Sequence, residues 1–212
     1  MPENIAGIAV PDTDLVREAT ALVREATDDN LFNHSRRVFF WGSLKAAARG
    51  LRVDPELAYV GALFHDLGLT ADFRTKDRRF ELDGAEAARN FLLERGRTEE
   101  EALNVWLGIA LHTTPEVPHL MAPEVAVVIL GVETDVVGIG IDEIGEEQRD
   151  AVVAAHPRTD FKNCILRAFY EGMADRPLTT FGTMNADVLA HFDPNFQRID
   201  MVDLIKNSPW PE

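Results

Sequence analysis

The sequence predicts an all-α fold, and three observations predict it. Apolar residues recur at three- and four-residue steps along almost the whole chain. The recurring stretches are bracketed by capping residues on one side and by glycine or proline on the other. Nowhere do two alternating runs flank a two-residue turn, so no β-hairpin is expected. Hydrophobic residues make up 46% of the 212 positions, enough for one sizeable core. A single domain over 1–212 is expected, with a core at about 30–140 and C-terminal helices over 145–207 packing on it.

The elements follow in order. Asp12 or Thr13 can cap a first helix that carries Leu15, Ala19, Leu22, Val23 and Ala26 on one face. A second starts near Asp29 and runs through NLFNHSRRVFFWGSLKAAARG to Gly50, a C-terminal stop. Asp54-Pro55-Glu56 supplies a cap, a proline at the first helical position and an early acid for a third, ending at Asp66 to Gly68. Residues 69–82 read as a loop, followed by a fourth helix over about 83–95 that stops at Gly96. Thr98 with Glu101 forms a capping box for a fifth, which ends near His112. Pro115 and Pro118 interrupt the chain, and Pro123 restarts it into EVAVVILGVETDVVG. That apolar run suits a buried strand or a buried helix, and its length favours the helix. Amphipathic stretches at about 146–155, 160–174, 184–191 and 199–207 complete the chain.

Charge and composition exclude some partners. A formal charge of −15 repels nucleic-acid backbones and anionic lipid surfaces. No stretch has the apolar length of a membrane span, and MPENIAGIAVPDTD lacks the features of a secretory signal, so the expected address is the cytoplasm. Cys164 is the one cysteine and reads as a core thiol. The expected partner is a small-molecule substrate, and self-association into a homo-oligomer is compatible with the sequence.

The candidate chemistry lies in histidines and aspartates set among apolar residues. His34 sits mid-helix in FNHSRRVFFWG, and His65-Asp66 closes the third helix in AYVGALFHDLG. Adjacent helical residues diverge by about 100°, but at a terminal turn both side chains can converge on one ion. Asp135 shares a stripe with Val128 and Val132. A carboxylate in such surroundings is costly unless paired or bound to a cation. His34, His65, Asp66 and Asp135 therefore read as a metal set, with an N/O character suited to zinc, iron or manganese. His112 ends the fifth helix on the face of Val105 and Ile109, as a helix-end histidine or as a pocket histidine that binds substrate or moves a proton. Loop 69–82 concentrates Arg74, Lys76, Arg78 and Arg79, either as a solvated basic loop or as a lid in which Arg79 meets substrate. His119, His156 and His191 read as surface or cap residues. Phe39, Phe40 and Trp41 read as core.

The ordered set of His34, then His65-Asp66, then a distant Asp135 resembles the HD-domain superfamily of metal-dependent phosphohydrolases. The resemblance covers about residues 30–140. It implies an all-α fold and gives the ligand role to those four residues. NHSRRVFFWG, ALFHDLGLT, RRFELDGAEAARNFL, WLGIALHTTPEVP and VAVVILGVETDVVG are further similar to the cyanamide hydratase-like branch, zinc enzymes that convert cyanamide to urea. The sequence departs from that branch at Glu133, where a small residue or glycine is expected. Binuclear members of the superfamily carry a histidine four residues before a Gly-Ala pair. Phe80 stands there before Gly84-Ala85, so one divalent metal per chain is implied, zinc foremost.

Two activities are thus expected, a hydratase or lyase acting on a small nitrile-like substrate and a phosphohydrolase acting on a nucleotide or other phosphoester. In either, Asp66 and His112 are the candidates for proton transfer. A non-catalytic, ligand-sensing HD protein is the third alternative.

Overall fold

Capping chemistry sets where most of the helices begin. In the computed structural model, which describes residues 3–210, Thr13 accepts from the Val16 amide and opens α1 (Asp14–Ala26). Asp28 does the same for Leu31 at the start of α2 (Asp29–Ala48), and Asp54 for Glu56 and Leu57 at α3 (Pro55–Phe64). The capping box of Thr98 and Glu101 is formed at α5 (Glu99–Ala110). The apolar run after Pro123 is a helix, α6 (Pro123–Val137), whose residues Val125 to Gly131 are all buried. It ends at Gly138, which takes the left-handed conformation at φ 77°. Helices α7 (Glu146–Ala155), α8 (Phe161–Met173), α9 (Asn185–Phe192) and α10 (Met201–Lys206) follow, close to the expected stretches.

Two expectations need correction. A short ribbon exists at the N-terminus, where β1 (Asn4–Ile5) pairs antiparallel with β2 (Ile8–Ala9). Ala6 and Gly7 both adopt positive φ, 56° and 86°, as a type I′ turn demands. Ala6 carries none of the Asn-Gly chemistry by which such turns are usually read, so the sequence gives no warning. The fourth helix, α4 (Phe80–Glu94), begins three residues earlier than the expected 83, which places Phe80 and Glu81 on its first turn. Arg79 caps it without a side-chain hydrogen bond, and only tertiary contacts pin this start.

The core forms where α2 crosses α6. A Cβ on Gly131 would lie 2.1 Å from the Val38 carbonyl oxygen, and one on Gly42 would lie 2.4 Å from that of Val127. Both positions exclude any larger residue, and the two backbones touch. Phe39, Phe40 and Trp41 are buried in this layer with Tyr59, Val60, Leu63 and Phe64 of α3, as expected.

The C-terminal helices are anchored by a residue that the sequence does not advertise. Arg176 is 2% exposed and bonds Asp83 Oδ2 at 2.5 Å, with further bonds to the carbonyls of Gly68, Thr75, Arg78 and Gly172. It ties α8 and the segment before α9 to α4 and to the loop that precedes α4. No helix among the described residues is long and apolar enough to cross a membrane.

Candidate metal centre

The site begins where α3 ends. His65 still has helical angles, but Asp66 turns away at φ −104°, ψ 4° and opens a 3-10 turn over Leu67–Leu69. That turn lets two adjacent side chains face one point. Gly68 within it lies against α4, where a Cβ would come 2.0 Å from the Phe80 carbonyl oxygen. His34, projecting from the second turn of α2, completes the cluster. His34 Nε2 and His65 Nε2 are 3.1 Å apart, and Asp66 Oδ2 is 3.5 Å and 3.2 Å from them. One donor atom from each of the three residues lies within 4.8 Å of the others. His112, two residues beyond the end of α5, places its Nε2 3.6 Å from Asp66 Oδ1. All four side chains are buried.

The hydrogen bonds fix which nitrogen each ring turns inward. His65 Nδ1 donates to the Ala62 carbonyl at 2.7 Å and His112 Nδ1 to that of Ile109 at 2.6 Å. His34 Nδ1 donates to Asp135 Oδ2 at 2.7 Å. Each Nε2 therefore faces the cluster with its lone pair. Both oxygens of Asp66 and Nε2 of His112 are buried with no hydrogen-bond partner. A proton shared by the first two rings would satisfy one contact and leave Asp66 and His112 unserved. Orphaned buried acceptors of this kind are costly, and a cation among them removes the cost. The residues present thus fit a divalent ion, with nitrogen and oxygen donors of the type zinc, iron and manganese accept.

Electrostatics agree with the geometry. Burial alone would push the Asp66 carboxyl up, but His65, His112 and His34 outweigh it and hold the group well below the usual carboxylate range. His34 moves down because burial dominates, opposed by Asp135. His65 is also pressed down by burial, yet Asp66 overcomes this and its net direction is up.

Asp135 is a correction to the expected four-ligand set. It lies behind His34, outside the cluster, and its oxygens are already occupied. Arg37 bonds it through Nε at 2.8 Å and Nη2 at 2.9 Å, Trp41 Nε1 reaches it at 2.8 Å, and Arg158 Nη1 at 2.5 Å. With the bond from His34, five donors converge on one carboxylate. The α6 face that does look toward the cluster carries Ile129, Val132, Glu133 and Val136. Asp135 projects to one side of that face because successive helical residues diverge by about 100°. A signal for this was present, since Arg37 in an apolar helical frame demands a buried acid.

The basic loop is corrected as well. Arg79 does not line the cavity beside the cluster. It bonds Glu81 Oε1 at 2.8 Å and approaches Thr113 Oγ1 at 3.4 Å. Arg74 bonds the Glu171 carbonyl and pairs with Asp175. Glu81, fully buried, also accepts from Thr113 and Asn185, so one carboxylate ties together α4, the end of α5 and α9. Sequence reading placed Glu81 and Asp83 in or beside a loop and so missed both buried acids. His119 is partly buried and pairs with Glu133. His156 is buried, stacks on Phe40 and accepts from Arg36, so it is no surface residue. Cys164 is half-buried, on the edge of α8 and not in the core.

A cavity of about 340 Å³ opens onto the cluster and is reached by His34, His65, Asp66 and His112. The rest of its wall is mostly apolar, with Glu133, Asp187, Asn185 and Thr113 as polar members. Among the described residues, neither lysine nor arginine lines it. Phe80 packs its ring on His112 at 5.6 Å and on Phe169.

No curated protein matches the chain. A family profile described as the HD domain matches residues 31–154, more than half of the 212 residues. That segment runs from the first turn of α2 almost to the end of α7, and it includes His34, His65, Asp66 and His112. Its all-helical fold and its buried histidine–aspartate cluster agree with the match, and the chain belongs to the HD domain family of metal-dependent, hydrolase-type enzymes.

Proposed function

We propose that the chain is a mononuclear metal-dependent enzyme that adds water to a small, neutral, nitrile-like substrate, with cyanamide as the simplest example and urea as its product. The observation that carries this reading is the cavity wall. A phosphoester would bring one or two negative charges into a space where, apart from the metal cation and its histidines, the described residues offer no lysine or arginine and include Glu133 and Asp187. A neutral substrate meets no such penalty.

A divalent cation held by His34, His65 and Asp66 supplies Lewis acidity, which lowers the pKa of a water and polarises a substrate. The protein's own groups handle the protons. His112 has its Nδ1 committed to the Ile109 carbonyl, so its inward Nε2 is an acceptor. It stands 3.6 Å from Asp66 Oδ1, close enough for the pair to pass a proton with little movement. In hydration the water oxygen bonds to the nitrile carbon. One proton leaves the water to His112 or Asp66, and one reaches the nitrile nitrogen. That gives the imidic acid, and transfer of the remaining oxygen proton to the same nitrogen gives the amide, so both water hydrogens end on nitrogen and nothing departs. Asp135 orients the His34 ring from behind, as carboxylates do for metal-binding histidines.

A second reading, hydrolysis of a phosphoester, is favoured by family membership and needs one metal at least. Elemental analysis of purified protein, followed by assay for urea from cyanamide against a panel of nucleotides and phosphodiesters, separates them. One equivalent of metal with urea formation is expected. Phosphate release without hydration would overturn the proposal.

A further inference from the structure

Close to half of the cavity wall around the cluster is supplied by residues outside the HD segment. Ile165, Leu166 and Phe169 come from α8, Met184 precedes α9 and Val188 lies on it, all beyond residue 154. Ile129, Val132 and Val136 of α6 continue the same apolar surface. The polar members are partly turned away, because Thr113 Oγ1 and Asn185 Nδ2 both donate to Glu81 behind the wall. Glu133 is paired with His119.

Size and rim point the same way. The volume of about 340 Å³ falls in the ~300–1,000 Å³ range of pockets for drug-sized ligands, far beyond what a molecule such as cyanamide fills. Four exposed apolar side chains rim the opening: Val137 at 66%, Ile139 at 54%, Met184 at 50% and Leu166 at 37%. Apolar residues grouped at the mouth of a cavity mark a site that takes an apolar ligand.

We infer that the substrate is a neutral molecule with an apolar body, a branched alkyl or aryl group, attached to the polar group that reaches the metal, and that α8 and α9 select that body. The inference rests on the proposed neutral-substrate reading. The C-terminal helices then act as the specificity half of the site, docked on the HD segment through Arg176–Asp83 and Asn185–Glu81.

The test uses the metal-loaded enzyme with cyanamide, N-methyl to N-butyl cyanamides and phenylcyanamide. The matching ureas serve as unreactive binding probes, read by thermal shift. We expect kcat/KM to rise about fourfold for each methylene buried, and the ureas to stabilise the protein in the same order. Met184→Lys and Leu166→Asp, at partly exposed positions, should flatten both series while metal content and circular dichroism stay unchanged. A flat series with cyanamide itself turned over overturns this inference and leaves the hydratase reading standing. Binding of the larger ureas, weakened by both variants, with no hydration of any nitrile supports the apolar class and overturns the hydratase reading. Turnover of phosphoesters with no binding of the ureas overturns both.

Discussion

Replacing Asp135 and Asp66 in turn should give opposite signatures, because one carboxylate is saturated by protein donors and the other has none. In Asp135→Asn the side chain keeps its shape but loses its charge. One amide oxygen cannot serve five donors, and its NH2 group must face at least one of them. Arg37, 0% exposed, is then left without its counter-charge. Removing one partner of a buried ion pair costs about 3–5 kcal/mol. For a domain of this size each kcal/mol moves Tm by about 2–4 °C, so a fall of roughly 6–20 °C is expected. The fall should be the same in chelator as with metal. Metal affinity should drop by about 10–100-fold as His34 loses its anchor. In Asp66→Asn no protein hydrogen bond is lost, so Tm in chelator should stay within about 4 °C of the parent, equivalent to about 1 kcal/mol. The further rise that the parent shows on adding zinc should vanish. Thermal unfolding of both variants, with chelator and with zinc, is the assay. If Asp135→Asn leaves Tm in chelator unchanged while abolishing the zinc-dependent rise, Asp135 is a ligand and its assignment as the support of His34 is wrong.

Other outcomes are expected. His112→Asn should retain metal and lose roughly 10²-fold or more in turnover, whereas near-normal turnover in metal-loaded protein would retire its proton-transfer role. His156 is pushed down to about 4, by burial first and then by Arg36. Its folded value lies below the unfolded one of ~6.5, so the stability it contributes is present above about pH 6.5 and is lost as the pH falls toward 4. His156→Gln should therefore show a shallower loss of Tm than the parent across that window, and an unchanged slope would refute the assignment. Arg176→Met strands the buried Asp83 and should cost about 3–5 kcal/mol, while the double variant Arg176→Met/Asp83→Leu should recover part of it. Limited proteolysis should find new cuts after residue 154 in the single variant, and their absence would mean that the C-terminal helices dock without this pair.

Most of the helices and the residues of the cluster are legible in the sequence alone. Local signals suffice there. Thr13, Asp54 and the Thr98–Glu101 box act on amides within three residues, and apolar spacing reports a buried face whatever packs on it. His65 and Asp66 were legible because a charge in an apolar frame is costly wherever it lies. What each charged group answers to is set by contacts between distant parts of the chain. Asp135 pairs with Arg37, Trp41 and Arg158 across 23 to 98 positions of sequence, and nothing near it in the chain distinguishes a ligand from a counter-ion. Glu81 and Asp83 are buried by Arg176 and Asn185, from a segment about a hundred residues later. The ribbon at Ala6-Gly7 and the early start of α4 likewise depend on contacts made after collapse. The walls of the cavity belong to the same class, because α8 docked on α2 and on the turn after α3, with α9 docked on α8, faces α6 and creates a surface that no single stretch of sequence contains.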